Sequence, residues 1–217
     1  MQRYSSCLCR LSAISGIAAP VVFALVAGIL GVIQTGYDPV TQLISELGVT
    51  GSPYAGTMNF GFALTGVLII LFSYSVFVLF GRSLTGATGS AVVVFAGISF
   101  IGMALFSCDA GCMPVTSTGQ IHLQLGILAL LAAVSASFLL GYSMWKQGTW
   151  NGYWQYSMVT AVLVVILVPL FDSVTGPDGL VQRIMMGIIF LWMEILAIRL
   201  YCACRQIGNS SIKPVVQ

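Results

Sequence analysis

Apolar residues fill six long runs of this chain, and short polar segments separate the runs. Each run reaches or approaches the ~20 residues that an α-helix needs to cross a bilayer. Helices are the expected form, because lipid offers no hydrogen-bond partners to an open backbone. The approximate predicted spans are 11–34, 58–80, 90–107, 121–144, 156–171 and 180–201. We therefore predict an all-α integral membrane protein, in which residues 1–217 form a single six-helix domain.

The composition supports this class of protein. Of the 217 residues, 58% are hydrophobic and only 6% are charged, whereas about 25% of residues are charged in an average globular protein. The net charge of +2 gives no indication of a nucleic-acid partner, and we expect none. Membrane lipids are the expected partners, and the oligomeric state is left open.

The basic residues predict the orientation of the bundle. All but one lie at the N-terminus, at the C-terminus or at the end of an even-numbered span. Such residues are enriched on the cytoplasmic side of membrane proteins. We therefore predict cytoplasmic N- and C-termini and outward-facing segments 36–54, 107–120 and 172–179. Arg183 is the exception, because it lies on the outward side.

The first outward segment, GYDPVTQLISELGVTGSPY, has the pattern of a short helix. Asp38 can cap a helix that begins at Pro39, and Gly48 can end it. Apolar residues recur with helical spacing at Val40, Leu43, Ile44 and Leu47. We predict a short helix that lies at the membrane interface or folds back over the bundle. Glu46, a candidate catalytic residue, is then either a solvated carboxylate or a group that points into the bundle.

The second outward segment, FSCDAGCMPVTSTGQIH, contains two cysteines. On the oxidising side of a membrane, Cys108 and Cys112 can form a disulfide if the preceding helix ends there. The alternative is a metal site that adds Asp109 and His122 to the two thiolates. One histidine and one cysteine pair fit zinc-site patterns poorly, so we predict a disulfide, no metal and no cofactor.

His122 is the only histidine of the chain and begins the fourth span. It is either an interfacial side chain that bonds water or Gln120, or a proton shuttle or headgroup ligand, because histidine titrates near neutrality. Ser45, His122 and an aspartate such as Asp109 could also form a hydrolase triad. Triads are recognised by geometry and not by sequence content, so the sequence leaves this open.

Arg183, in the third outward segment, stands in the first turn of the sixth span, where the helix dipole disfavours a cation. A compensating partner is therefore expected. One alternative is an ion pair with Asp172, Asp178 or Asp109. The other is an anionic ligand such as a phosphate or carboxylate headgroup, which a guanidinium binds well.

Glu194 is the one acidic residue well inside a predicted span. Carboxylates within membranes are costly and usually face a bundle interior or a cavity. Glu194 is therefore a protonated core residue, a partner of an arginine, or the coupling site of a small-molecule or ion transporter. The pairs Cys7/Cys9 and Cys202/Cys204 lie on the predicted cytoplasmic side and are expected to be free thiols, with metal binding and reversible acylation as the alternatives.

The ordered motifs SELG, NFGFALTG, CDAGCMP, GQIH and GLVQR resemble those of one known family. The chain is similar to the prokaryotic multipass membrane proteins catalogued as domain of unknown function 998, from about residue 18 to residue 200. The resemblance implies six helices in a prokaryotic cell membrane, without an assigned reaction. Its motif positions include Asn59 and Gln182, which with Ser45, Asp172 and Arg183 are candidate ligand-binding residues.

A more distant likeness is to the six-span family that includes the Frag1, DRAM and Sfk1 proteins. Ser45, Glu46, Gly48 and His122 match its pattern, whereas its Pro-Glu pair after the glycine is replaced here by Pro53 and Tyr54. Because some members act in lipid remodelling or distribution, this likeness favours a lipid substrate.

The outward residues suggest a protein that binds, and modifies or remodels, a lipid or amphiphile headgroup. Arg183 would hold the anionic group, and His122 would act as acid or base. Glu46, with Asp109 or Asp172, would orient it. A transporter and a structural or partner-binding protein are the alternatives, and whether the protein is an enzyme is left open.

Overall fold

The computed structural model describes residues 2–148, 150–171 and 176–210. The six long helices are α1 (Gln2–Ile33), α2 (Ala55–Phe80), α3 (Leu84–Leu105), α4 (Ser117–Gln147), α5 (Tyr153–Leu167) and α6 (Asp178–Ser210). All six predicted spans overlap these helices, which are long and apolar enough to cross a membrane. The described residues contain no strand. The predicted all-α, six-helix architecture is therefore confirmed.

Polar caps explain why α3 and α4 begin before their apolar runs. The hydroxyl of Ser83 accepts a hydrogen bond from the N–H of Gly86 at 3.1 Å, and Thr116 accepts one from Gly119 at 3.1 Å. Such caps satisfy backbone donors that the first helical turn leaves unpaired. Gly148, with φ of 69°, ends α4 in the left-handed conformation that glycine adopts easily.

Neighbouring helices pack closely through small and aromatic residues. A Cβ atom added at Gly66 of α2 would lie 2.5 Å from the carbonyl oxygen of Gly97 in α3, so the two backbones touch there. Small residues permit this approach in membrane bundles. Four phenylalanine rings from α1, α2, α3 and α6 form the centre of the core, with centroids 5.3–6.2 Å apart: Phe23, Phe62, Phe100 and Phe190.

The segment between α1 and α2 folds back over one end of the bundle, as one of the two predicted placements requires. Its helix is a 3₁₀ helix, Ile44–Gly48, and not the longer helix predicted from Pro39. Asp38 caps no helix, because its carboxylate accepts hydrogen bonds from the N–H of Val40 and the hydroxyl of Thr41. These bonds, that of Thr41 above all, lower the pKa of Asp38. The local turn they close delays the helix start.

The prediction of free cysteines is wrong for Cys9 and Cys204, one member of each pair. A disulfide joins Cys9 of α1 to Cys204 of α6, whose Cα atoms lie 5.7 Å apart, whereas Cys7 and Cys202 are free and exposed. The bonded residues are almost fully buried where the first and last helices pack side by side. Sequence spacing carries no information on this contact.

Candidate functional site

His122 and Ser45 meet at the end of the bundle covered by the 3₁₀ helix. The ring Nε2 of His122 lies 3.0 Å from the Ser45 hydroxyl oxygen, and its Nδ1 lies 2.7 Å from the main-chain carbonyl oxygen of Phe106. Both side chains are buried, with 6% and 8% of their surface exposed. The two residues are 77 positions apart in sequence, so the fold creates this contact.

The partners of His122 fix where its proton lies. A carbonyl oxygen only accepts hydrogen bonds, so Nδ1 must carry a proton and donate it to Phe106. In a neutral ring Nε2 is then unprotonated and accepts a hydrogen bond from the hydroxyl of Ser45. This is the relation between serine and histidine in a catalytic triad, with a carbonyl in place of the usual carboxylate.

Asp109 orders the loop before α4 and is not the group on Nδ1. One of its carboxylate oxygens accepts hydrogen bonds from the N–H groups of Val115 and Thr116, both at 2.8 Å, and the other accepts one from the Thr116 hydroxyl at 2.7 Å. The hydrogen bonds from Thr116 lower the pKa of Asp109. The carboxylate also lies against Gly119, where an added Cβ would be 2.1 Å from its oxygen. We therefore assign Asp109 a role in positioning α4.

Glu46 and Gln182 hold the backbone that leads into Ser45. The carboxylate of Glu46 accepts hydrogen bonds from the N–H of Leu43 at 2.9 Å and the amide of Gln42 at 3.0 Å. From α6, the Gln182 side-chain oxygen accepts the N–H of Ile44 at 2.7 Å. Of the two alternatives for Glu46, neither describes it fully: it is half-buried and caps the 3₁₀ helix.

Arg183 ties α6 to the first segment through neutral oxygens. Its guanidinium donates to the carbonyl oxygens of Gln42 at 3.0 Å and Gly179 at 2.9 Å, and to the hydroxyl of Tyr37. It also lies over the Tyr37 ring, 5.6 Å from the centroid, and burial raises the pKa of that tyrosine. Asp172, one of the three aspartates predicted as ion-pair partners, lies outside the described residues. These contacts favour a structural role for Arg183 over headgroup binding.

Asn59 likewise joins segments of the protein. Its amide donates to the carbonyl oxygen of Gly48 at 3.3 Å and to the hydroxyl of Ser107 at 3.0 Å. It therefore links the end of the 3₁₀ helix to α2 and to the end of α3. Asn59 is not among the described residues that line the cavity below, so its predicted ligand contact gains no support.

The predicted disulfide between Cys108 and Cys112 is present, with Cα atoms 5.0 Å apart. The sulfur of Cys108 lies 3.3 Å from the carbonyl oxygen of Ser45. The disulfide therefore packs directly under the 3₁₀ helix. Both cysteines also line the cavity that opens beside Ser45.

A cavity of about 840 Å³ runs into the bundle from the pair formed by Ser45 and His122. Its size lies in the ~300–1,000 Å³ range of ligand sites. The polar side chains of its lining gather near this pair: Thr41, Ser45, Glu46, His122, Asp178 and Gln182. The rest of the lining is mainly apolar and extends along α4 from Gly119 to Ala136, about 25 Å at 1.5 Å per residue.

The cavity opens on the side of the bundle. Four apolar side chains of its lining are 39–50% exposed: Leu123, Ile127, Val168 and Phe171. They come from the first half of α4 and from the residues directly after α5, at the same end of the bundle as Ser45. The opening therefore lies on the apolar side surface of the bundle, between the helices long and apolar enough to cross a membrane.

Glu194 lies away from this site. It is half-buried in α6, 11 residues beyond Arg183, about 17 Å along the helix. Among the described residues, the cavity lining includes its neighbours Trp192 and Met193 but not Glu194. Glu194 is therefore not part of the lining of this cavity.

The match to known proteins covers both the helices and the site. A family model matches residues 17–199, a range that includes Ser45, His122 and Gln182. The chain belongs to the DUF998 family. The family is described as a protein of unknown function, so membership confirms the predicted family and assigns no reaction. No curated protein and no solved structure matches the chain.

The sequence did not predict two groups that contact the candidate site residues of this DUF998 protein. The carbonyl of Phe106, which orients His122, has no sequence signal, because every residue carries a main-chain carbonyl. Tyr37, which contacts Arg183 and donates its hydroxyl to the carbonyl oxygen of Leu43 at 3.0 Å, could have been proposed. An aromatic ring near an unpaired arginine is a known cation partner.

Proposed function

We propose that this protein binds a lipid or other amphiphile from the outer leaflet. The apolar chain occupies the cavity between α3, α4 and α6, and the polar group lies beside Ser45 and His122. One observation supports the proposal: the cavity is apolar along its length, polar at one end, and open on the apolar side surface of the bundle. A ligand with the same division of polarity fits such a site.

The transporter alternative has less support in the structure. Coupled transporters place their sites near the middle of the membrane, often on broken helices. The polar groups of this cavity lie instead at its end, and Glu194 is not part of the lining among the described residues. A purely structural role explains the contacts of Arg183 and Asn59. It does not explain a large cavity beside a buried serine and histidine.

A cavity-filling substitution tests the proposal. Ala133 lines the cavity on α4, whereas Ser135, two residues later, is exposed on the outside of the same helix. Ala133→Phe places a ring in the path of the chain, and Ser135→Phe is the matched control. We expect mass spectrometry of the purified protein to find bound lipid in the wild type and in Ser135→Phe, and at least tenfold less in Ala133→Phe.

Equal lipid occupancy in the three proteins would contradict the proposal. Melting temperatures in the same detergent separate this result from misfolding. The two phenylalanine variants should unfold within a few degrees of each other, because neither substitution removes a hydrogen bond.

A further inference from the structure

We propose that Ser45 is the nucleophile, and His122 the base, of an acyl transfer from a carboxylic ester of the bound amphiphile. This inference rests on the proposed function, because the cavity brings the ester to Ser45. It adds a reaction and a substrate class to the proposed binding site.

The hydrogen bonds of Ser45 are those of a nucleophile. Within the described part of the chain, His122 Nε2 is the one hydrogen-bond partner of the Ser45 hydroxyl oxygen. The proton of Ser45 therefore points at a base, and the lone pairs of its oxygen remain free of donors from described residues. Both side chains line the cavity, so a ligand in it reaches the oxygen. A nucleophile beside a base that a third group orients is the recognised signature of such sites.

The reaction follows from these positions. The oxygen of Ser45 attacks the ester carbonyl carbon, while His122 Nε2 takes the hydroxyl proton. The new Oγ–C bond forms, the bond from that carbon to the alcohol oxygen breaks, and the alcohol leaves with the proton from Nε2. Water then attacks the acyl-Ser45 ester, gives its proton to Nε2 and releases a carboxylic acid, and the proton returns to Ser45.

The shape of the cavity selects the substrate. The acyl chain of the ester lies in the apolar part between α4 and α6, and the alcohol part lies at the polar end near Glu46 and Gln182. The carbonyl of Phe106 keeps the ring of His122 in the required tautomer. Esters with long acyl chains should therefore react better than acetates, because only a long chain fills the cavity.

An alkyl fluorophosphonate tests the nucleophile directly, since it modifies activated serines and carries an apolar tail. The full-length protein in detergent is treated with the probe and mapped by peptide mass spectrometry. We expect one adduct on Ser45 of the wild type, none in Ser45→Ala, and roughly 10²–10⁴-fold slower labelling in His122→Gln. Ser137→Ala removes another buried hydroxyl, one that bonds only within α4, and should leave the labelling rate unchanged.

The wild-type result does not depend on whether any variant folds. Absence of a Ser45 adduct, in protein that still carries lipid, would overturn the acyl transfer and leave the binding proposal standing. Absence of bound lipid, with Ala133→Phe equal to the wild type, would overturn the binding proposal. As a second readout, the wild type should release 4-nitrophenol at least tenfold faster from the dodecanoate ester than from the acetate. Equal rates would contradict the proposed chain selection.

Discussion

The two ring nitrogens of His122 have different partners, a carbonyl that can only accept and a hydroxyl that can also donate. Removing this ring would leave the buried hydroxyl of Ser45 without its hydrogen-bond partner, and a buried unpaired polar group costs about 1–3 kcal/mol. The same bonds that stabilise the fold therefore set the chemistry of Ser45. For this reason the proposed tests use labelling at one oxygen atom, and not loss of stability, to identify the role of the pair.

Asp109 gives a prediction about pH at the scale of one residue. Its hydrogen bonds lower the pKa of the folded carboxyl below the ordinary value of 3.8. A lowered folded pKa stabilises the protein fully above the unfolded pKa, and the stabilisation is lost as the pH falls through the folded pKa. Asp109→Asn should therefore lower the melting temperature at pH 7, and the difference from the wild type should shrink below about pH 4. A difference that stays constant down to pH 3 would contradict this role.

At the scale of elements, the apolar runs were sufficient to predict the six helices but not their contacts. Hydropathy gives the depth of a residue in the membrane, so Ser45 and His122 could be assigned to the same end of the bundle. Whether they touch depends on the rotation of α4 about its axis and on where the 3₁₀ helix begins. The start of the 3₁₀ helix depends on the hydrogen bonds of Asp38, which close a turn at a place where the sequence pattern favours a helix.

The cavity also could not be predicted from the sequence. Its walls consist of ordinary apolar residues such as Ala133, Met193 and Phe190, which are identical in type to those of a filled core. A cavity arises from how α4 and α6 are spaced, and neither helix carries a signal for that spacing. By contrast, the disulfide between Cys108 and Cys112 was predictable, because its four-residue separation constrains the geometry.

At the scale of the molecule, the two ends of the bundle differ in charge, and each end contains one disulfide. The end with Arg82 and Lys146 is predicted to face the cytoplasm, yet the disulfide of Cys9 and Cys204 lies in the same half. Disulfides are uncommon in a reducing cytosol. The basic residues therefore predict that this end of the protein faces the cytoplasm, whereas the disulfide favours the oxidising side of the membrane.

Thiol labelling in intact cells decides the orientation. Cys7 and Cys202 are free and exposed, and Thr50 is exposed at the opposite end. With a membrane-impermeant maleimide, the positive-inside rule predicts labelling of a Thr50→Cys variant in intact cells. The wild type should be labelled only after permeabilisation. Labelling of the wild type in intact cells would reverse the orientation and assign the site to the inner leaflet.

The central claim is that an amphiphile occupies the cavity with its polar group at Ser45 and His122. A fatty acid ester with a photoreactive diazirine at the chain end tests it most directly, with the adducts mapped by mass spectrometry. The account predicts adducts deep in the cavity, on Ala136, Trp192 or Met193, and their loss in Ala133→Phe. Adducts confined to side chains on the outer surface of the bundle, such as Leu131 and Phe138, which are 56% and 53% exposed, would contradict it.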